Sequence, residues 1–185
     1  MITIKRVTEF TELEGIKQLQ DANLKKNLSE EMAGSEGFVM ADYTLDFLQA
    51  MHAESPSIVA MDNGRVIGYA LSATKSIRHQ HALLADLFNA IDKINYNHQL
   101  LENSKYVVVG QLCVALGYRG TGLAQNMYNY FKSSLSPEFD YCITDVANEN
   151  IRSLKAHQKT GFQVIDTLNY GGIIWNIILW DWVNQ

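Results

Sequence analysis

Residues 113–124, Cys-Val-Ala-Leu-Gly-Tyr-Arg-Gly-Thr-Gly-Leu-Ala, constrain the fold more than any other stretch of this chain. An apolar strand runs into a glycine-containing turn, and the turn opens a helix. A strand handed straight to a helix in this way is the building unit of an α/β layer. The turn is also chemically specific. Small residues let the backbone approach a ligand closely, and the first N–H groups of the helix point outward unpaired. Together with the positive end of the helix dipole they form an anion site, and a pyrophosphate group suits it.

The flanking sequence supplies the rest of the layer. Residues 2–7 read as a short strand and residues 9–24 as a helix, with Phe10, Leu13, Ile16, Leu19 and Leu24 on its apolar stripe. Residues 31–37 read as a loop and 43–51 as a second helix. Residues 57–61 and 65–73 form a hairpin around Asp62-Asn63-Gly64, whose residues tolerate positive φ. Residues 81–101 carry Leu83, Leu84, Leu87, Phe88, Ile91 and Ile94 near a 3.6 period, which predicts one long helix. The pattern then changes to strand 106–114, helix 121–135, strand 141–146 and helix 150–160. It closes with strands 162–168 and 173–180, joined by Gly171-Gly172. Strands alternating with helices and flanked by hairpins predict an α/β fold, or α+β with a mixed sheet. No repeat, low-complexity tract or linker divides residues 1–185, so one domain is expected.

Charge and cysteine usage narrow the function classes. A net charge of −5 and a pI near 5.5 argue against a general nucleic-acid binder, which needs a basic face. Residues 1–10 carry no apolar signal region, and no apolar run approaches the roughly 20 residues that span a bilayer. Cys113 and Cys142 both sit in apolar runs and read as buried, reduced thiols of a cytoplasmic protein. Five histidines without an HExxH motif or a Cys/His cluster give no sign of a metal.

Three known loops compete for the glycine turn. A P-loop needs Gly-Lys-Ser/Thr at its end, where this chain has Leu123 and Ala124. A dinucleotide fingerprint beginning at Gly120 would place Gln125 where a glycine or alanine must pack. The pattern that remains is Arg/Gln-x-x-Gly-x-Gly/Ala, met by Arg119, Gly122 and Ala124. Here the sequence resembles the GNAT superfamily of N-acetyltransferases. A second resemblance lies at residues 150–162, a helix that begins with Asn150 and closes through Lys159-Thr160-Gly161-Phe162. The same residues also suit plain roles: Asn150 as N-cap, Gly161 just past the helix, Phe162 in the core. The resemblance covers roughly the last half of the chain.

It implies a three-layer fold, with a central mixed, mostly antiparallel sheet splayed between its fourth and fifth strands and flanked by helices. It also implies acetyl-CoA as acyl donor and a primary amine as acceptor, attacking the thioester directly. Leu112, Cys113 and Val114 would offer main-chain bonds to pantetheine, one N–H acting as an oxyanion donor. The amides of Gly120, Thr121, Gly122, Leu123 and Ala124 would hold the pyrophosphate, Arg119 would add charge at its mouth, and Asn150 would bond the cofactor.

The chain departs from the family at two positions. The family often has a tyrosine acid seven positions after the helix-starting Asn; His157 stands there and is the candidate catalytic acid. Gln111 occupies a place where some relatives carry a carboxylate base, and it does not titrate. Water relayed by Asp145, Glu149 or a histidine is the remaining source of a base. Cys113 has no His/Asp partner placed by sequence and reads as core or cofactor lining. Residues 76–104 read as a helix that covers the sheet and faces the acceptor side. Trp175, Trp180 and Trp182 suit either core or a homodimer surface. A silent acyl-CoA-binding module and a nucleotide-binding α/β protein are the competing readings. The acceptor, a small-molecule or peptide amine, is not chosen by the sequence.

Overall fold

The computed structural model describes residues 1–32 and 37–184. In chain order it contains strand β1 (Thr3–Arg6), helix α1 (Phe10–Asn23) and helix α2 (Leu45–Glu54). The hairpin β2 (Ile58–Asp62) and β3 (Arg65–Ala73) follows, then helix α3 (Ala82–Asp92) and the small strands β4 (Asn95–Tyr96) and β5 (Gln99–Leu100). The second half runs β6 (Tyr106–Val114), α4 (Leu123–Leu135), β7 (Tyr141–Ala147), α5 (Ile151–Thr160), β8 (Gln163–Tyr170) and β9 (Ile173–Asp181). Residues 33–36, inside the stretch read as a loop, lie outside the described residues, and residues 30–32 are helical.

Seven strands make one mixed sheet in the order β1-β2-β3-β6-β7-β9-β8. Every neighbouring pair is antiparallel except β6 and β7. Those two pair only from Tyr106↔Tyr141 to Val108↔Ile143 and then separate, leaving the second half of β6 with a free edge toward β7. This is the splay that the resemblance implies, and it creates the site. The prediction for residues 81–101 was wrong in part: α3 stops at Asp92, and Asn97 and His98 turn a short hairpin at φ 50 and 66. The apolar period ends at Ile94, and asparagine and histidine tolerate the left-handed region that ends a helical run.

Each face of the sheet has its own core. On one face α1, α2 and α3 cover Tyr69, Val108, Ile143, Ile177 and Leu179. Helix α3 contributes Leu84, Leu87, Phe88 and Ile91, so its apolar stripe does cover the sheet. On the other face α4 packs Leu123, Met127, Tyr128 and Phe131 against Val107, Val109, Ile178 and Trp180. All three tryptophans are buried. Residues 177 and 179 belong to one core and residues 178 and 180 to the other, as strand alternation requires. No helix among the described residues is long and apolar enough to cross a membrane.

Candidate active site

The gap between β6 and β7 opens a cleft of about 350 Å³. At its far end Gly120 and Gly122 sit at φ 77 and 85, and Gly122 is the N-cap of α4 with no side-chain cap. A Cβ at either glycine would meet nothing within 4 Å, so the backbone angle and not crowding calls for glycine there. The first bond inside α4 runs from the Asn126 N–H to the Gly122 carbonyl. The amides of residues 123–125 therefore have no partner within the helix and point toward the cleft mouth.

Arg119, Arg152 and Lys159 line this cleft, and among the described residues no carboxylate does. In a chain of net charge −5 that is a local reversal of sign, suited to a polyanion. A diphosphate held by helix amides with cations around it fits this chemistry, so the residues present suit a CoA-type ligand. Leu112, Val114, Gly120, Gly122, Leu123, Ala124 and Asn150 all line the cleft, whereas Thr121 turns its hydroxyl to the Tyr118 carbonyl at 2.7 Å.

Strand register decides which main-chain groups of β6 face the gap. The Ala115 N–H bonds Ile67 on the β3 side, and Cys113 stands opposite Tyr69 in the same alternation. The amide and carbonyl of Cys113 thus belong to the β3 ladder, although the residue lines the cleft. Burial pushes that thiol up to about 11. Leu112 and Val114 present their main-chain groups to the gap. Of these, the Val114 carbonyl accepts from Arg119 Nε at 2.9 Å. Arg119 also donates through Nη2 to Asn23 at the end of α1, so its guanidinium braces the loop against β6 and α1.

His157 lines the cleft but has little freedom. It is 4% exposed, and burial lowers its pKa to about 4. The Ser153 carbonyl lies 2.8 Å from Nδ1 and can only accept, so Nδ1 carries the ring proton. Nε2 then accepts from the Tyr128 hydroxyl at 2.6 Å. The ring is neutral near pH 7 and both nitrogens are engaged, which departs from the poised acid that its sequence position implies.

Gln111 is a clamp. Its Oε1 accepts from the Tyr69 hydroxyl at 2.6 Å, and its Nε2 donates to the Ala41 carbonyl at 2.9 Å. It holds residues 37–41 across the gap. Val39 forms a parallel bridge with Leu24, and the Phe38 carbonyl accepts from Asn150 Nδ2 at 3.1 Å. Asn150 also caps α5 by accepting from the Ser153 N–H at 3.3 Å. Lys25, which pairs with Glu149, lies over the Phe38 ring at 4.8 Å.

On the other side of this strap a smaller pocket, about 70 Å³, contains Asp145. The Asp145 side chain is half-buried, its Oδ2 is sealed from water and unpartnered, and burial raises its pKa to about 7. Leu112 and His157 line both pockets, so the two meet at the free edge of β6. Leu83 is the contribution of α3 here; none of the histidines of residues 76–104 lines this pocket. Cys113 and Cys142 are free and buried, and the described residues contain no cluster of His, Cys, Asp and Glu that could hold a metal.

Comparison with known proteins settles the family. Residues 23–162 match the model of the Acetyltransferase (GNAT) family. The chain belongs to the GNAT acetyltransferases. As a member of that family it is an acyltransferase. Solved structures with the same fold include the ribosomal-protein-S18-alanine N-acetyltransferase of Escherichia coli, at 13% identity and a TM-score of 0.65 over 98% of this chain and 94% of that one. A putative acetyltransferase from Salmonella typhimurium, solved with its cofactor acetyl-CoA, is 14% identical with a TM-score of 0.66, covering 100% of this chain and 96% of that one. The NatC complex bound to Gag peptide and CoA contains a chain 17% identical with a TM-score of 0.66, covering 97% and 98% respectively. No curated protein matches the sequence.

Proposed function

We propose that this GNAT protein transfers the acetyl group of acetyl-CoA to a primary amine, with Asp145 as the general base. The observation that carries this reading is the meeting, at Leu112, of a cation-lined cleft with a pocket holding a carboxyl of pKa near 7. Acetyl-CoA supplies an activated acyl group, a thioester open to direct attack by a neutral amine. The α4 amides with Gly120 and Gly122 hold the diphosphate, and Leu112 and Val114 offer the strand edge along which pantetheine lies. The Leu112 N–H donates to the carbonyl oxygen that gains charge during attack. Asp145 removes the amine proton, and its raised pKa suits a base that works near neutral pH. His157 stays neutral and fixes the wall between the two pockets, and the departing thiolate takes its proton from solvent.

Localisation follows from the thiols: two buried, unpaired cysteines favour a reducing compartment, and we assign the protein to the cytoplasm.

The first test is the melting temperature of the purified protein with acetyl-CoA, CoA, NAD and ATP. A ligand that binds only the native state raises it. A rise with both CoA species alone supports the donor assignment. A rise only with NAD or ATP sinks it. Binding of CoA without thiol release from any amine would leave a silent acyl-CoA-binding module.

A further inference from the structure

Two buried side-chain polar atoms of the acceptor pocket have no hydrogen-bond partner among the described residues. One is Asp145 Oδ2; the other is the indole Nε1 of Trp175, a residue only 6% exposed. Trp180 and Trp182 also have unpartnered indoles, but they stack within the aromatic core under α4, whereas Trp175 lines the pocket. Register places Trp175 beside the base. Ala147 stands opposite Trp175 and Asp145 opposite Ile177, so Asp145 and Trp175 are diagonal neighbours on one face of the sheet. A lone acceptor and a lone donor, side by side and shut from water, each carry a standing desolvation cost that a ligand removes.

The rest of the pocket is apolar or already paired. Val39, Met40, Leu83 and Val146 form its walls, Gln111 is engaged as a clamp, and the Thr144 hydroxyl donates to the Val109 carbonyl at 2.7 Å. Asp145 and His157 are the titratable side chains in its lining among the described residues, and no lysine or arginine is there. A second cation on the acceptor finds no second carboxylate, and a carboxylate on the acceptor finds no cation.

Resting on the proposed acetyl transfer, we infer that the acceptor is an α-amino amide with an apolar side chain: its amine at Asp145, its neighbouring carbonyl accepting from Trp175 Nε1, its side chain against Leu83 and Met40. A free amino-acid amide and the first residue of a peptide share this chemistry. Polyamines and aminoglycosides do not.

Valinamide, isobutylamine (the same amine without the carboxamide) and spermidine are the probes, each followed by thiol release from acetyl-CoA. Because a carboxamide lowers the pKa of the neighbouring amine, the valinamide-to-isobutylamine ratio of kcat/KM is compared between the native protein and Trp175→Phe, where that effect cancels. The expected result is a ratio about tenfold or more higher in the native protein, the native enzyme turning over valinamide in preference to spermidine. An equal ratio in the two proteins overturns the inference, as does preference for spermidine. Turnover of a valine-led tripeptide as well as valinamide supports it and points to chain termini; turnover of valinamide alone supports it and points to small amides. If Trp175→Phe does not fold, the native melting temperature in saturating CoA decides: a further rise with valinamide and none with isobutylamine supports the inference, and equal rises overturn it. Absence of any CoA-induced rise defeats the underlying acetyltransferase reading instead, which keeps the two failures apart.

Discussion

The Tyr128 hydroxyl lies 2.6 Å from His157 Nε2 and donates to it once the Ser153 carbonyl has fixed the ring in its Nδ1–H tautomer, so that a histidine facing the donor cleft is held by the core behind it. Tyr128 is 1% exposed, and His157 is its acceptor. Replacing His157 with Phe leaves the Tyr128 hydroxyl without its acceptor, while the Ser153 carbonyl keeps the helical N–H of residue 157. The expected cost is about 1–3 kcal/mol, read by denaturant unfolding. Tyr128→Phe in the same background recovers part of it, because no buried hydroxyl is then left unpaired. A fall in kcat of less than about tenfold at preserved fold is expected; a fall of 10²-fold or more marks His157 as the acid after all.

The same pair makes stability depend on acid. The folded pKa of His157, about 4, lies below its ordinary value of 6.5, so the unfolded chain takes up a proton first. The contribution of the neutral ring is complete above pH 6.5 and is lost as pH falls from 6.5 toward 4. Over that window the melting temperature of His157→Phe should fall less steeply than that of the native protein. Parallel slopes would show that the ring is not held neutral.

Asp145 shifts in the opposite sense. Its carboxyl titrates near 7 when folded, above the ordinary 3.8, so the folded state keeps a proton that the unfolded state has lost. Stability therefore declines as pH rises from about 4 to about 7. Asp145→Asn removes this decline and melts higher than the native protein at pH 8. It also removes the base, and acetyl transfer should drop by 10²- to 10⁴-fold. In the native enzyme kcat/KM should rise through a pKa near 7. A variant that is both more stable and less active marks a carboxyl kept for chemistry.

These residues differ in how openly the sequence declares them. The donor cleft is local: a strand, a glycine turn and a helix contiguous from Cys113 to Ala124 build most of it, and Gly161 adopts φ 117 after α5 as its position suggests. The acceptor side is assembled across the chain. Asn150 reaches Phe38 over 112 residues, Gln111 reaches Ala41 over 70, and Trp175 meets Asp145 only through the β7–β9 register. No period or motif encodes such contacts. Asp145 was visible only as one of several groups able to relay a proton, because its burial, and so its pKa, comes from neighbours on other strands. The early end of α3 has a local cause: Asn97 and His98 turn the backbone left-handed. Both residue types favour such a turn, whereas the apolar stripe before them favours a longer helix.

Gly122 allows a test of the donor end that leaves the acceptor side alone. At φ 85 an alanine pays strain of about 1–2 kcal/mol although its Cβ meets nothing within 4 Å. Gly122→Ala is expected to lose stability by that amount and to raise the Kd for CoA, measured by calorimetry, with the larger effect on CoA than on a dephosphorylated pantetheine fragment. Equal effects on both ligands would move the diphosphate away from the α4 amides.

Gln111→Glu probes the strap. The Tyr69 hydroxyl can still donate to a carboxylate at 111, so that half of the clamp survives. The other half inverts: where Nε2 donated to the Ala41 carbonyl, an anionic oxygen would face it, and position 111 is only 8% exposed. Losing that bond in a buried site costs about 1–3 kcal/mol, and the charge adds to it. Phe38 and Val39 wall both pockets, so freeing residues 37–41 loosens donor and acceptor together. The expected signature is a raised KM for acetyl-CoA and for the amine, with kcat falling less than either KM rises, because Leu112 and Asp145 stay on their strands. A rise confined to one substrate would show that the strap serves one pocket only; a collapse of kcat at unchanged KM would make Gln111 part of the chemistry.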